Sequence, residues 1–446
     1  MFNSYFKDKK ITVMGLGLLG RGVGITKYLA ECGTKLIVTD LKSEQELKPS
    51  LDKLKDYKDI EYVLGEHKLS DFEDRDMIIR APNVPKKSKY ILHANKKGIP
   101  VEMDASLFVK LIRGTIGDLN PLDVKIVGVT GTRGKTTTSY LLDHILSFSG
   151  ISSHLAGNIR DVATLPLLDD IKDGDCVVLE LDSWQLQGFG ESKISPDIAI
   201  FSNFFPDHQN YYKSMDSYFD DKANIFKYQT KNNHLILSSN SEIAIKKYYK
   251  EDLISKVSVV DDVELGGLEL WAPGDHIKKN VALAKKVAEI MGVNEKKILE
   301  AIKVFKGVEG RMQYIKTIKG VKIFNDNNAT SPEATISAIN SFSSKGVILI
   351  AGGADKNLDY RELGGVINKK VGKLILLPGT AIDKLKEYLH ISFIEVGSLK
   401  EAVEVALNET QEESIVLFSP AAASFGLFNN EYERSDEFLR IVNNLK

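Results

Sequence analysis

Short, continuous apolar runs alternate along the chain with stretches in which apolar positions recur every three or four residues. The runs ITVMG, KLIVTD, DMIIRAP, KIVGVT, CVVLEL, IAIFSN, HLILSS, VKIFND, VILIAGG, KLILLP and IVLFSP mostly lack the alternating polarity of a half-solvated strand. That pattern predicts parallel strands covered on both faces. Between them, VALAKKVAEIMG and SLKEAVEVALNE carry the periodicity of helices with one buried face. The class is therefore α/β throughout, with the strands in three groups. Boundaries are expected near Asp104, where IPVEMDASLFVKLI opens a helix, and near Val308-Glu309, before GRMQYIKTIKGVKIFND. The expected domains are 1–104, 105–308 and 309–446.

Length agrees, since 446 residues suit about three domains of ordinary size. A hydrophobic content of 43% and a charged content of 27% fall in the soluble globular range, and no apolar run approaches bilayer-spanning length. The start, MFNSYFKDKK, lacks an apolar signal core. Cys32 and Cys176 are the only cysteines and lie far apart, which leaves no disulfide framework and suits a reducing compartment. The 59 Lys and Arg nearly balance the 61 Asp and Glu, so the overall field that drives general nucleic-acid binding is missing. A cytoplasmic monomer with neither nucleic-acid nor membrane partners is expected.

The richest stretch is DVKIVGVTGTRGKTTTSY, a β-branched strand feeding a Gly-rich turn and then a helix. Backbone N–H groups of such a turn point into its bend and the helix N-terminus adds partial positive charge. Lys135 is placed to reach β/γ-phosphates and Thr136 to offer its hydroxyl to Mg²⁺, so Gly131, Thr132, Arg133, Gly134, Lys135, Thr136 and Thr137 read as an ATP or GTP site. The common phosphate-loop pattern would put Gly at Val129; the narrower form TGTxGKT remains. A second glycine signal, Gly15-Leu16-Gly17-Leu18-Leu19-Gly20, follows strand ITVM, and Asp40 ends the next strand. Taken alone it is a dinucleotide fingerprint and seeds an NAD(P)-dependent oxidoreductase reading. The same turn equally holds the diphosphate of a nucleotide-sugar, or is structural. Glu180 ends the strand CVVLE at a sheet's carboxyl edge, where Mg²⁺ beside a phosphate loop would be held. Asp207-His208 lies at another such edge, and Lys222, taken alone, reads as a surface lysine.

In order, GVTGTRGKTTT, LELDSWQLQ, SNFFPDHQNYYKSMDSYFDDKANIF, GDHIKKNVALA, GVEGRMQ and FNDNNATSPEAT resemble the motifs of the Mur ligase family, the ATP-dependent amide-bond enzymes of peptidoglycan precursor synthesis. The likeness spans nearly the whole chain, extends to SPAAASFGLFNNEYERSDEF, and implies a Rossmann-like N-terminal domain, a central P-loop ATPase-type parallel sheet and a Rossmann-like C-terminal domain. It implies a ligase that activates a carboxylate with ATP as an acyl phosphate, then lets an amine displace phosphate, with two Mg²⁺ ions between crowded anions. By position it implies Thr136 and Glu180 on one ion, His208 on the other and Lys135 on the phosphates. Lys222 matches a lysine that the family carries as a carbamate, which makes it an anionic oxygen ligand. It further implies nucleotide contacts at Asn280, Arg311 and Asp326, and a UDP-sugar held by Gly17, Leu18, Gly20 and Asp40, with Asn158 on the sugar-peptide arm. The amino acid would meet Thr330, Lys356 and Ser424. The implied substrates are UDP-N-acetylmuramoyl-L-alanine and D-glutamate, with another Mur-type or polyglutamate-type acceptor as the alternative.

Departures from the pattern are as specific as the matches. Arg133 stands where the loop commonly has Asn, Leu19 replaces a polar residue at the uracil turn, and Asn83 in RAPNVP replaces a glycine. Ile277 takes the place of an Asn, Gly310 that of a His, and Asn328 that of a Lys. The phosphate loop, Glu180, His208 and Lys222 are all kept, so the expectation is conserved chemistry with altered nucleotide contacts.

Overall fold

The computed structural model describes residues 2–208, 211–342, 346–410 and 414–445, and these form three sheets. In the first, β1 (Lys10–Met14), β2 (Lys35–Asp40), β3 (Ile60–Leu64), β4 (Met77–Arg80) and β5 (Val101–Glu102) run parallel in the order β3-β2-β1-β4-β5. The middle sheet orders β6 (Lys125–Thr130), β7 (Ser153–Gly157), β8 (Cys176–Glu180), β9 (Ile198–Phe201), β10 (His234–Leu237) and β11 (Lys256–Val259) as β11-β10-β9-β6-β8-β7, again all parallel. In the third, β12 (Gln313–Ile318), β13 (Val321–Asn325), β14 (Val347–Gly352), β15 (Val371–Leu377), β16 (Phe393–Glu395) and β17 (Ile415–Phe418) follow the order β12-β13-β17-β14-β15-β16. Only β12–β13 is antiparallel there. Its two-residue turn uses positive φ at Lys319 and Gly320 (47° and 82°), which matches the twist of the flanking strands.

The strands form where β-branched and aliphatic residues run together. All of β8, β9 and β14 is buried, as is β6 after its first residue, because helices cover both faces. Crevices open where neighbouring strands leave a sheet in opposite directions, at the carboxyl ends of β1 and β6. Both glycine turns of the sequence lie there.

The chain divides into two compact units, Met1–Asp262 with Asn280–Ile298, and Val263–Lys279 with Leu299–Lys446. The first unit holds the first and middle sheets, which share one continuous core: Ile11 and Val13 of β1, Leu107, Phe108 and Leu111 of the helix Asp104–Ile112, and Ile126, Val177 and Leu179 of β6 and β8. Asp104 sits in this seam, 4% exposed, and its carboxylate accepts the backbone N–H groups of Thr164 and Leu165 at 2.7 and 2.9 Å. The second unit is built on the third sheet, with Ile350, Ile375, Val416 and Phe418 in its core.

Candidate active site

Thr130 ends β6, and the turn Gly131–Gly134 leads into the helix Lys135–Phe148. Gly131 and Gly134 have φ of 148° and 80°, conformations that L side chains rarely adopt. Space is closed as well: a Cβ on Gly131 would collide with Ser202 Oγ, and one on Gly134 with Asn280 Oδ1. Asn203 clamps the turn from β9's carboxyl end, accepting from Arg133 N at 2.8 Å and donating from Nδ2 to Arg133 O at 2.9 Å. Thr132 N donates to Asn203 O at 2.9 Å. The turn is thus fixed by its neighbours, and Asn280 is brought to its edge.

Two lysines converge on one carbonyl of this turn. Lys135 Nζ donates to Gly131 O at 3.0 Å and to Thr132 O at 3.1 Å. From the other side Lys222 Nζ donates to the same Gly131 O at 2.8 Å and reaches Thr130 Oγ1 at 3.4 Å. Lys222 is 1% exposed, on the helix Met215–Ala223 that begins at the Ser214 cap. Burial, then the neighbouring Lys135, holds its ammonium well below the usual lysine range, while Asp182, Asp207 and Glu180 pull the other way. Lys222, which taken alone reads as a surface lysine, is thus a buried one. Two like charges near one oxygen favour the neutral amine on the more buried partner.

Glu180 closes β8 at 3% exposure, in register with Val129 of β6. Its neighbour Leu181 accepts the Thr130 hydroxyl at 2.8 Å, which ties the carboxylate strand to the phosphate turn. His208 adopts a left-handed φ of 51°, a costly conformation for a non-glycine residue. Its ring lies against Trp184 at 4.6 Å and edge-on to Tyr218 at 6.0 Å. Burial lowers its imidazole from the ordinary value; Asp207 and Asp182 oppose this, while Lys135 and Lys222 reinforce it. Among the described residues no three His, Cys, Asp or Glu side chains form a metal-binding cluster.

At the carboxyl edge of the first sheet, Asp40 is engaged by backbone. Its Oδ2 accepts Gly17 N at 3.0 Å and its Oδ1 accepts Lys42 N at 2.9 Å, so the carboxylate shapes the glycine turn directly. Leu18 and Leu19 project from that turn, 48% and 66% exposed. Gly20 packs against Asp161, and the next residue, Arg21, donates to Gly157 O at 3.0 Å and to Asn158 Oδ1 at 3.1 Å. Gly17, Leu18, Gly20, Asp40 and Asn158 are therefore gathered around one cleft between the first and middle sheets.

Arg311 and Asp326 belong to the second unit. Asp326 is 7% exposed and accepts Ser419 Oγ at 2.8 Å and Met312 N at 3.1 Å. Burial pushes its carboxyl up to about 7, opposed by those hydrogen bonds and by Arg311. Lys356 Nζ donates to Thr330 Oγ1 at 2.9 Å. Backbone pairs Ala354–Ala423 and Ala421–Ala329 bring the segments of Lys356, Ser424 and Thr330 side by side, and Ser424 Oγ is buried with no partner among the described residues. Arg434, like Asp182, is not among the residues predicted from the sequence. It is 1% exposed, donates to Asn327 Oδ1, Asn327 O and Ala422 O at 2.7, 3.0 and 3.2 Å, and so braces both segments. Its signal lay inside the quoted SPAAASFGLFNNEYERSDEF, as that of Asp182 lay inside LELDSWQLQ.

Three family models match successive parts of the chain: the MurD-like N-terminal domain at 9–102, the Mur ligase middle domain at 129–267 and the Mur ligase glutamate ligase domain at 310–422. The chain is also 36% identical to the UDP-N-acetylmuramoylalanine--D-glutamate ligase of Borreliella afzelii, covering 98% of each. The chain belongs to the Mur ligase family. Enzymes of the same name from Roseiflexus sp. (34% identical, 97% of this chain and 98% of that one) and Acetivibrio thermocellus (33%, 100% and 98%) are similar over the same span. Among solved structures, the fold is shared with the MurC ligase of Thermotoga maritima (TM-score 0.59, 18% identity, 98% of this chain and 100% of that one). It is shared too with the MurF ligase of that organism in complex with ADP (TM-score 0.56, 16% identity, 91% and 94%). Membership in the Mur ligase family sets aside the oxidoreductase reading of the first glycine turn. Among the described residues no helix of this Mur ligase is long and apolar enough to cross a membrane.

Proposed function

We propose that this chain is the ATP-dependent ligase that joins D-glutamate to the carboxylate of UDP-N-acetylmuramoyl-L-alanine, forming ADP and phosphate by way of an acyl phosphate. The observation that carries the reading is the pair of lysines on Gly131 O, one of them fully buried, beside Glu180 and His208. The names of the full-length relatives support the choice of substrates. Residues 1–104 would hold the UDP-sugar, 105–308 the ATP and 309–446 the incoming amino acid, in a protein acting as a cytoplasmic monomer.

The donor set suits Mg²⁺. Thr136 and Glu180 offer hard oxygens for one ion. His208 and Lys222 serve the second, and for that Lys222 must change character. A buried amine held neutral takes up CO₂ and releases a proton, becoming a carbamate whose oxygens are anionic. What supports this reading is that the Lys222 ammonium is disfavoured and its bonds are to neutral oxygens. When bound, the ions supply positive charge that lets carboxylate and γ-phosphate approach.

The chain's own residues then divide the work. Lys135 swings from its loop carbonyls to the phosphates, and the amides of Gly131–Thr137 cradle them. Asn280, Arg311 and Asp326 orient the nucleotide. Gly17, Leu18, Gly20, Asp40 and Asn158 seat the UDP-sugar so that its peptide carboxylate faces the γ-phosphate. Lys356, a fixed cation beside Thr330 and Ser424, receives a carboxylate of the amino acid, which leaves the amine to attack. The test is a phosphate-release assay. Release is expected only when ATP, Mg²⁺, UDP-N-acetylmuramoyl-L-alanine and D-glutamate are all present, and an amino-acid panel should favour D-glutamate over L-glutamate. Release indifferent to sugar nucleotide and amino acid would overturn the reading.

A further inference from the structure

Off the phosphate turn, a chain of buried polar groups joins the first sheet to the helix that carries Lys222. Arg80, the last residue of β4, is 1% exposed. It donates to Val84 O at 2.9 Å and to both oxygens of Glu191 at 3.1 and 3.2 Å, and faces Gln187 Oε1 at 3.5 Å. Gln187 lies on the helix Gln185–Glu191, and its Nε2 donates to Asp221 Oδ2 at 2.8 Å. That same oxygen accepts the Tyr212 hydroxyl at 3.0 Å, and Asp221 Oδ1 faces Lys86 Nζ at 3.5 Å. Two cations from the first sheet's edge, Arg80 and Lys86, thus balance two anions of the middle part, Glu191 and Asp221.

Asp221 is the residue before Lys222, in the last turn of the helix Met215–Ala223. Successive helical side chains point about 100° apart, so one turn presents Asp221 to Gln187 and Lys86 while Lys222 faces Gly131 O. A carboxylate with three partners at 8% exposure fixes the rotation of that turn, and with it the place of the Lys222 nitrogen. The other end of the chain of contacts meets the first cleft. Ala81 N donates to Met14 O at 2.8 Å, and a Cβ on Gly15, at the start of the glycine turn, would lie 2.7 Å from the Ala81 methyl.

We propose that Asp221 is a positioning residue for Lys222, and that Gln187 and Arg80 carry its hold to the first cleft, so that occupancy of that cleft and the geometry of the phosphate site are linked. The inference rests on the reading of those two places as the UDP-sugar and ATP sites. It predicts that Asp221→Ala lowers kcat about tenfold or more, as misplacement of a reacting group does, with the affinity for an ATP analogue in the absence of the acceptor little changed. Asp221→Asn, which keeps an oxygen for Gln187, should recover most of that loss. The coupling itself is read by titrating a non-hydrolysable ATP analogue with and without saturating UDP-N-acetylmuramoyl-L-alanine. In the wild type the acceptor should tighten analogue binding about fivefold or more, and in Asp221→Ala the ratio should fall towards one. Lys86→Met, at a more exposed partner, should lower the ratio without lowering the melting temperature. A wild-type ratio near one, or an unchanged ratio in both variants, overturns the proposal. Equal damage from Asp221→Asn and Asp221→Ala overturns it too, since position alone would then not be what Asp221 supplies. Failure of the underlying functional reading shows separately, as a wild type whose phosphate release ignores the acceptor.

Discussion

Lys222 and Asp326 show how burial changes what a charged residue does. An amine at 1% exposure beside a second lysine is disposed to be neutral, and arginine in its place would remain a cation. Lys222→Arg is therefore expected to be as damaging as Lys222→Ala, each lowering kcat about 10²-fold or more, the scale of losing a metal-site ligand; steady-state phosphate release measures it. Asp326 has its carboxyl raised from 3.8 to about 7, so the folded protein binds a proton there that the unfolded chain has released. Its contribution to stability is full below about pH 4 and falls as pH rises to about 7. Asp326→Asn should flatten that fall, visible as a smaller drop in melting temperature between pH 5 and 7 than the wild type shows. Lys356 is exposed, yet partial desolvation lowers its ammonium, with Glu431 opposing. Lys356→Met should raise KM for D-glutamate about tenfold or more while leaving KM for ATP nearly unchanged, because removing one partner of a charge pair costs the ligand that carried the other.

At the scale of elements, the phosphate turn is the most constrained. Gly134→Ala places a Cβ into Asn280 at a φ of 80° and is expected to cost about 1–3 kcal/mol of strain, read as a lower melting temperature together with weaker binding of an ATP analogue. Elements also differ in how legible they were. Among the described residues every apolar run expected to be a strand is one, and the six further strands, β3, β5, β7, β11, β12 and β16, are the six sheet edges. An edge strand has one neighbour and one side open, so it needs no unbroken apolar run: β11 reads KVSV with Val257 and Val259 over 40% exposed, and β5 is two residues long. Propensity alone does not mark such segments, because their pairing is decided by the neighbouring strand. Helix starts are fixed locally instead, as Ser214, Ser238 and Ser398 each cap a helix by accepting a backbone N–H three residues on.

Across the whole molecule, the shared core of the first and middle sheets has a thermodynamic consequence. Those sheets should unfold in one cooperative step. Asp104→Ala, which leaves the Thr164 and Leu165 N–H groups buried without their acceptor, is expected to lower that step by about 2–4 kcal/mol, as chemical denaturation followed by tryptophan fluorescence would report through Trp184. By itself the sequence determined the α/β class, the central strands, both glycine turns and the order of the motifs, because these rest on local periodicity and on glycines that backbone geometry demands. Tertiary structure alone decided that Lys222 is buried rather than a surface lysine, that Asp182 and Arg434 belong beside the predicted site residues, and that Asp221 meets Lys86 and Gln187 from distant parts of the chain. Burial and charge pairing depend on which distant segments pack together, and no window of sequence contains both partners.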